Sequence, residues 1–408
     1  MMKKSIILYF LPLFCFAGNL TELLNLAEQN KQVESSRYSL ESTKEKEYAT
    51  KSGYMPNLTL GANQTFNKDS NASTPDKSTT GSATLSFTIY DGGKREASFE
   101  QQQALIKSAT FTLASVQNNI SLDVIYNYYN YLSTLASKES TLKKMEQLES
   151  ERYRLEKYLS VGTITVDELQ KIVSSLEQTK VDLLTLDNSL NNISNTLEYL
   201  TGAEVSVEKG SSIVYNDSNI EEGKRLDILA LEESVQSNKA EIKIAKAPNK
   251  PTITLQDTYS KYDFDYPLAT ESLDQQNSVQ LSMEWKIFDF GSTNANAQAA
   301  YLNYLSKNSD LAYEKQKAKA SLKSAQNSYK TSLAKIEAAR AQLQASEMTY
   351  ELIKKKFQQG IVDNVSYLDA LSDKFNSNSQ LQTALNEVEY QKAVLLYEMG
   401  ENIKGAIQ

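Results

Sequence analysis

The chain carries one plan twice. Pro56-Asn57-Leu58-Thr59-Leu60 is matched by Pro251-Thr252-Ile253-Thr254-Leu255 at an offset of 195. Ile89-Tyr90-Asp91-Gly92 is matched by Ile287-Phe288-Asp289-Phe290-Gly291, the aspartates offset by 198, and Gly162/Gly360 and Gly202/Gly400 keep that value. A fixed internal period means that each half builds the same supersecondary unit. The slip from 195 to 198 falls between the proline and aspartate landmarks, where a surface loop absorbs three extra residues most easily. The longer of two equivalent loops, 263–277, is the expected place.

Between the landmarks, proline and glycine are absent from residues 94–161, 163–201, 292–359 and 361–399. That is helix punctuation. From Ala318 onward, Leu322, Ala325, Tyr329, Leu333, Ile336, Ala339, Leu343, Ser346, Tyr350, Ile353 and Phe357 recur by threes and fours, as do Ile120, Val124, Tyr128, Tyr131, Leu135, Leu142 and Met145 in the first half. Helices of about 65 residues would be about 100 Å long, a length that only coiled-coil packing sustains. Start signals of capping-box form stand at Asn19-Leu20-Thr21-Glu22, Thr165-Val166-Asp167-Glu168 and Ser218-Asn219-Ile220-Glu221, and Asp363 or Asn364 can cap the last long helix.

Two segments change period from three-to-four to two. Ala83, Leu85, Phe87 and Ile89 alternate with Thr84, Ser86, Thr88 and Tyr90; Val279, Leu281, Met283, Trp285 and Ile287 alternate with Gln280, Ser282, Glu284 and Lys286. One apolar and one polar face is what a membrane barrel strand needs, apolar to lipid and polar to a wet lumen. Residues 58–66 and 252–262, less regular, are the expected partners, and the polar segments 67–80 and 263–277 the extracellular loops. Four strands are too few to enclose a lumen, so the pattern requires several copies.

Met1-Met2-Lys3-Lys4, an apolar run to Phe16 and Cys15-Phe16-Ala17 have the form of a secretory signal peptide, residues 1–17, cut after Ala17. Its removal takes away the only cysteine, and the chain has no histidine. Disulfides, thiol or imidazole catalysis and soft metal ligands are thereby excluded, no cofactor is expected, and no carboxylate pair is spaced to select it as acid and base. No phosphate-binding glycine loop is present. The net charge of −8 becomes −10 without Lys3 and Lys4, which argues against nucleic acid. With no further apolar run long enough for a spanning helix, a closed β-barrel is the one way left to cross a membrane.

Leu20-Thr21-Glu22-Leu23-Leu24-Asn25-Leu26-Ala27, Gly53-Tyr54-Met55-Pro56-Asn57-Leu58, Ile89-Tyr90-Asp91-Gly92-Gly93-Lys94-Arg95, Arg225-Leu226-Asp227-Ile228 and Gly360 followed by Leu368-Asp369-Ala370 resemble, in order, the TolC-like outer-membrane efflux family. The resemblance implies a mainly α chain with transmembrane β: long coiled-coil helices forming a periplasmic α-barrel, and four strands per protomer contributing to a 12-stranded trimeric β-barrel. It implies repeats over 18–202 and 220–408 about an equatorial linker, 203–219. By the same resemblance the chain is the passive exit duct of a tripartite efflux or type I secretion system in the outer membrane of a Gram-negative-type cell. Its partners would be two further copies of itself, outer-membrane lipid, a periplasmic adaptor and an inner-membrane pump, proton-driven or of ABC type. Val161, Gly162, Thr163, Gln359, Gly360 and Ile361 would be the tips that touch the adaptor. Asp369, with Ser366, Asp167 and Glu168, would line the periplasmic entrance. Phe357 and Val362 stand where the family has a tyrosine and an arginine that hold this entrance closed, so the latch must differ. A pore-free periplasmic or secreted coiled-coil scaffold is the competing expectation.

Overall fold

A computed structural model describes residues 16–68, 74–215, 224–265 and 274–408. The proline- and glycine-free stretches are helices: α3 (Lys94–Ser160), α4 (Val166–Thr201), α6 (Ser292–Gln358) and α7 (Asn364–Met399). α3 and α6 each hold 67 residues, about 100 Å at 1.5 Å per residue. Shorter helices are α1 (Leu20–Ala27), α2 (Lys31–Gly53) and α5 (Leu226–Lys246). Strands are β1 (Phe16–Gly18), β2 (Asn57–Phe66), β3 (Lys77–Asp91), β4 (Val205–Val207), β5 (Thr252–Asp265) and β6 (Gln275–Glu284). The chain divides into two compact units. Among the described residues no helix is long and apolar enough to cross a membrane.

The unit formed by residues 36–113 and 227–315 contains an antiparallel sheet in the order β2-β3-β5-β6. Its register resolves the two faces, because residues directly opposite one another share a face. Leu58, Leu85 and Val279 stand in one row, as do Phe87, Leu255 and Leu281. Thr59, Thr84, Thr258 and Ser278 form a row of the other face. β2 and β6 are the outer strands, and every residue of both is exposed.

The register also locates the slip of the repeat. Phe66 pairs with Lys77 and Lys261 with Gln275, so ten residues intervene in the first hairpin and thirteen in the second. Both expected loops are shorter than 67–80 and 263–277, since β3 starts at Lys77, β5 continues to Asp265 opposite it, and β6 starts at Gln275. Residues 69–73 and 266–273 lie outside the described residues. Two strand expectations need correction. Ile89 sits in a bulge between Thr88 and Tyr90, which brings Tyr90 opposite Ile253 and ends the alternation. β6 stops at Glu284, leaving Trp285 and Ile287 beyond the sheet; the Trp285 indole donates instead to the Asn249 carbonyl, 3.1 Å away.

The other unit, residues 1–35, 114–226 and 316–408, holds α4, α7 and the distal parts of α3 and α6. Leu322, Ala325, Leu395 and Met399 form one apolar cluster between α6 and α7. In α6 the seam passes through Ser332, which is buried, and not Leu333, which is exposed. Asn19 caps α1 as expected, accepting from the Glu22 amide at 3.0 Å. Ser218-Asn219-Ile220-Glu221 lies outside the described residues, and the helix that follows starts at Leu226. Residues 1–15 of the expected signal segment are also outside them; Phe16 and Ala17 belong to β1, which pairs in parallel with β4. The carboxy-terminal residues pair with the segment that follows β4. Ser212 and Gln408 exchange backbone hydrogen bonds at 3.0 Å, and Val214 donates to Ala406 at 2.8 Å. Tyr128 and Tyr129 on α3 also hold this segment, donating to the carbonyls of Glu208 and Ser211.

Candidate functional site

The sequence pointed to the two helix-to-helix turns, and both lie in the second unit described. Gly162 and Gly360 have φ of +74° and +73°, the left-handed conformation that reverses the chain after a helix. Each turn closes by the same bond, Thr163 N–H to the Tyr158 carbonyl at 3.0 Å and Ile361 N–H to the Lys356 carbonyl at 2.9 Å. A Cβ at either glycine would meet nothing within 4 Å. Val161 and Ile361, one beside each glycine, are 71% and 65% exposed.

The expected entrance residues are placed unequally. Asp369 and Ser366 are both exposed on α7, and the Ser366 amide is occupied by the Asp363 side chain at 2.9 Å, which caps the helix. Accepting from Ser366 holds the Asp363 carboxyl below its ordinary range. At the other turn Thr165 occupies the N-cap by backbone only, without a capping hydrogen bond. Its hydroxyl goes to exposed Asp167 and, with Lys171 nearby, holds that carboxyl low. Glu168 is half-buried, and its carbonyl accepts from Asn364 Nδ2 at 2.8 Å, which ties α4 to α7.

Further residues complete the tip, among them Tyr350 and Phe357 of the α6 seam. Leu148, Leu155, Ile172, Leu176, Tyr350, Tyr367, Ala370 and Leu371 form an apolar cluster drawn from α3, α4, α6 and α7. Phe357 stacks on Tyr367 with centroids 4.7 Å apart. The Arg154 guanidinium lies 5.0 Å from the Phe357 centroid and 5.3 Å from that of Tyr158, and it is gripped by Glu151 through both Nε and Nη2. Burial pushes the Tyr367 phenol up, with Tyr350 and Glu151 reinforcing the shift. A cleft of about 550 Å³ between the two turns is lined by Arg154, Phe357, Glu168 and Asn364 among others. The signal for Arg154 was weak: it stands between Arg152 and Lys157, eight residues before Gly162, and its spacing from Glu151 reads as an ordinary pair on one helix face.

Nothing in this arrangement pairs an acid with a base over a substrate pocket. What it offers is a helical tip with apolar residues and glycine outward and a cation–aromatic clamp inward. Together with a sheet that has one apolar and one polar face, it defines a subunit of a membrane channel whose helices form long coiled coils. The family model for outer membrane efflux protein matches residues 23–203 and 220–399. Outer membrane protein TolC of Escherichia coli (strain K12) is 22% identical over 400 residues, covering 90% of this chain and 79% of the relative. Its counterpart in Vibrio cholerae is 21% identical over 390 residues, covering 90% and 87%. Among solved structures, the outer membrane protein VceC of Vibrio cholerae matches with a TM-score of 0.84 at 17% identity, over 94% of this chain and 96% of that one. The Campylobacter jejuni CmeC outer membrane channel matches with a TM-score of 0.82 at 16% identity, over 93% and 85%. The chain belongs to the outer membrane efflux protein family. It is an exit duct of the outer membrane with a periplasmic tunnel, not an enzyme, and the pore-free scaffold is set aside. Channels of this family are trimers that work with adaptors and inner-membrane pumps.

Proposed function

We propose that three copies of this chain close one 12-stranded barrel, and that cargo handed over by a pump, proton-driven or of ABC type, passes through it by way of an adaptor docked on the tips. The observation that carries this reading is the open sheet. β2 and β6 are edge strands with every residue exposed, and such edges are stable in lipid only when another strand pairs with them. Exposed apolar side chains on α4 (Val181, Leu184, Tyr199) and α6 (Leu333, Met348, Leu352) support packing between copies along the helices as well.

Within that trimer the repeats are 18–202 and 220–408 about the 203–219 linker. Val161, Gly162 and Thr163 with Gln359, Gly360 and Ile361 form the adaptor surface, supported by two exposed apolar side chains and by glycines that leave room for a close partner. Asp369, exposed and unencumbered by the cap that engages Ser366, contributes one carboxylate per copy to the entrance. The rest of that rim is Asp167 and Glu168. Three carboxylates around one axis favour cations and invite block by a multivalent one.

Planar-bilayer recording of the detergent-purified protein tests the reading. Trimer mass and single-channel conductance are expected, with a trivalent cation blocking the wild type and not Asp369→Asn. A monomer that never inserts would sink the trimer, and equal block of both proteins would remove Asp369 from the entrance.

A further inference from the structure

The register sorts every charge of the described β2, β3, β5 and β6 onto one face of the sheet or the other. Taken alternately, residues 57–65 of β2, 78–88 of β3, 254–260 of β5 and 276–282 of β6 place only Ser, Thr, Asn, Gln and Gly on the polar face. Lys77, Asp257, Lys261, Asp263 and Asp265 all stand on the other. The polar face carries charge in its last row alone, where Asp91 and Glu284 flank Thr252. From there to the hairpin loops it is neutral.

Two residues of β5 break this wall of hydroxyls and carboxamides. β5 continues past Lys261, the partner of the first residue of β6, and its next positions on the polar face are Tyr262, opposite Thr80, and Phe264, opposite Ser78. Their rings stack, with centroids 5.3 Å apart and planes 17° from parallel. Tyr262 is held from two sides: its N–H donates to the Asp274 carbonyl at 2.9 Å and its hydroxyl to Gln276 Oε1 at 3.5 Å. Both side chains are only half-buried, so ring surface stays open on the polar face. At the same two levels β2 presents Asn63 and Thr65, so the rings belong to the second half of the repeat alone.

Stacked rings facing water expose apolar area at a cost and offer a flat π surface in return. Such a surface attracts other rings by offset stacking and organic cations through its quadrupole, and it offers an anionic group nothing. We propose that Tyr262 and Phe264 form a binding shelf at the outer mouth of the bore for departing solutes that carry a planar ring, neutral or cationic. This rests on the reading that the polar face lines the lumen of a trimeric barrel, which sets three such shelves around one exit. Because the wall beneath them is neutral, the shelf and not charge distinguishes one solute from another over that stretch.

Two cations of equal charge test the shelf in planar bilayers carrying the full-length protein: N-methylquinolinium, which has a planar ring, and tetraethylammonium, which has none. Each is added to the compartment opposite the one that received the protein. The wild type is expected to be blocked by N-methylquinolinium at about one-tenth of the concentration needed with tetraethylammonium. Replacing the rings by residues like those of the wall, Tyr262→Thr with Phe264→Thr, is expected to raise the half-blocking concentration of N-methylquinolinium about tenfold and to leave that of tetraethylammonium in place. Should that variant not insert, Phe264→Trp, with a larger ring at the same position, is expected to lower the N-methylquinolinium value. Equal block of the wild type by the two cations, equal N-methylquinolinium block of wild type and ring-free variant, or a Phe264→Trp channel no more sensitive than the wild type overturns the shelf and leaves the barrel standing. A wild type that never conducts overturns the reading on which the shelf rests.

Discussion

Asn364, the first residue of α7, donates from Nδ2 to the backbone carbonyl of Glu168 on α4 over 2.8 Å, while its own Oδ1 is buried without a hydrogen-bond partner among the described residues. The side chain is 4% exposed and joins the first-half tip to the second. Truncation by Asn364→Ala removes that donor and is expected to cost about 1 kcal/mol. Asn364→Asp is expected to cost more, about 3 kcal/mol, because a carboxylate would face a carbonyl with no donor between them. Thermal dissociation of the purified protein, ranked wild type, Ala, Asp, is the check. An aspartate variant as stable as wild type would mean that the contact does not hold the tips.

Asp257 lies in the row Leu58, Leu85, Val279, on the apolar face of the sheet, and its Oδ1 has no hydrogen-bond partner among the described residues. Carboxylates on a lipid-facing strand are penalised by an amount that depends on depth. Asp257→Leu is therefore expected to stabilise the vesicle-embedded protein by about 1–2 kcal/mol. The midpoint of urea unfolding from vesicles measures it. A lowered midpoint would show that this face does not look outward.

Asp257 also explains what the sequence showed poorly. β3 announced itself by clean alternation, whereas β5 carries a carboxylate in its apolar series and reads as irregular. Helix extents were legible because glycine and proline mark their ends, and the two hairpins because the repeat doubles each signal. The extra three residues could be placed in the second loop because offset and pairing are the same arithmetic. Two kinds of feature stayed hidden. Local departures such as the Ile89 bulge and the use of the Thr165 hydroxyl by Asp167 depend on geometry at single residues. The tip clamp depends on which helices adjoin, and Arg154 and Phe357 are 203 positions apart.

A latch at this tip is expected to run through that clamp, since Phe357 stands where the resemblance to the family places a tyrosine. Arg154, fixed by Glu151, lies over Phe357, which stacks on Tyr367, so α3, α6 and α7 are held together at the tip. Arg154 is a quarter exposed and lies over two rings, Phe357 and Tyr158, contacts worth about 1 kcal/mol each at such a site, and a shift of 1.4 kcal/mol changes an equilibrium by about tenfold. Arg154→Met keeps the packing of the stem and loses the charge. Its open probability in planar bilayers is expected to rise by about tenfold, whereas Arg152→Ala, which removes an exposed arginine paired with Glu156 on the same helix, should conduct like wild type. Phe357→Leu should mimic Arg154→Met, and Phe357→Tyr, which keeps a ring under the guanidinium, should stay closed like the wild type. Wild-type conductance in both Arg154→Met and Phe357→Leu would place the latch elsewhere.

The same tip should respond to acid through Asp363. Its carboxyl, ordinarily at 3.8, is held lower by the Ser366 side chain and then by the Ser366 amide. A depressed folded value means that the ionised form is favoured by the native turn. The cap's contribution is therefore complete above the ordinary value and is lost as pH falls through the lowered one. The first turn of α7 is expected to stay protected at neutral pH and to fray only below about pH 4. Asp363→Asn keeps an oxygen that can accept from the Ser366 amide but has no proton to gain, so its protection should be flat across that window. Hydrogen exchange of the 363–370 backbone from pH 3 to pH 7, corrected for intrinsic rates, reads both proteins. Identical profiles for wild type and Asp363→Asn would show that the acid response of the tip does not pass through this cap.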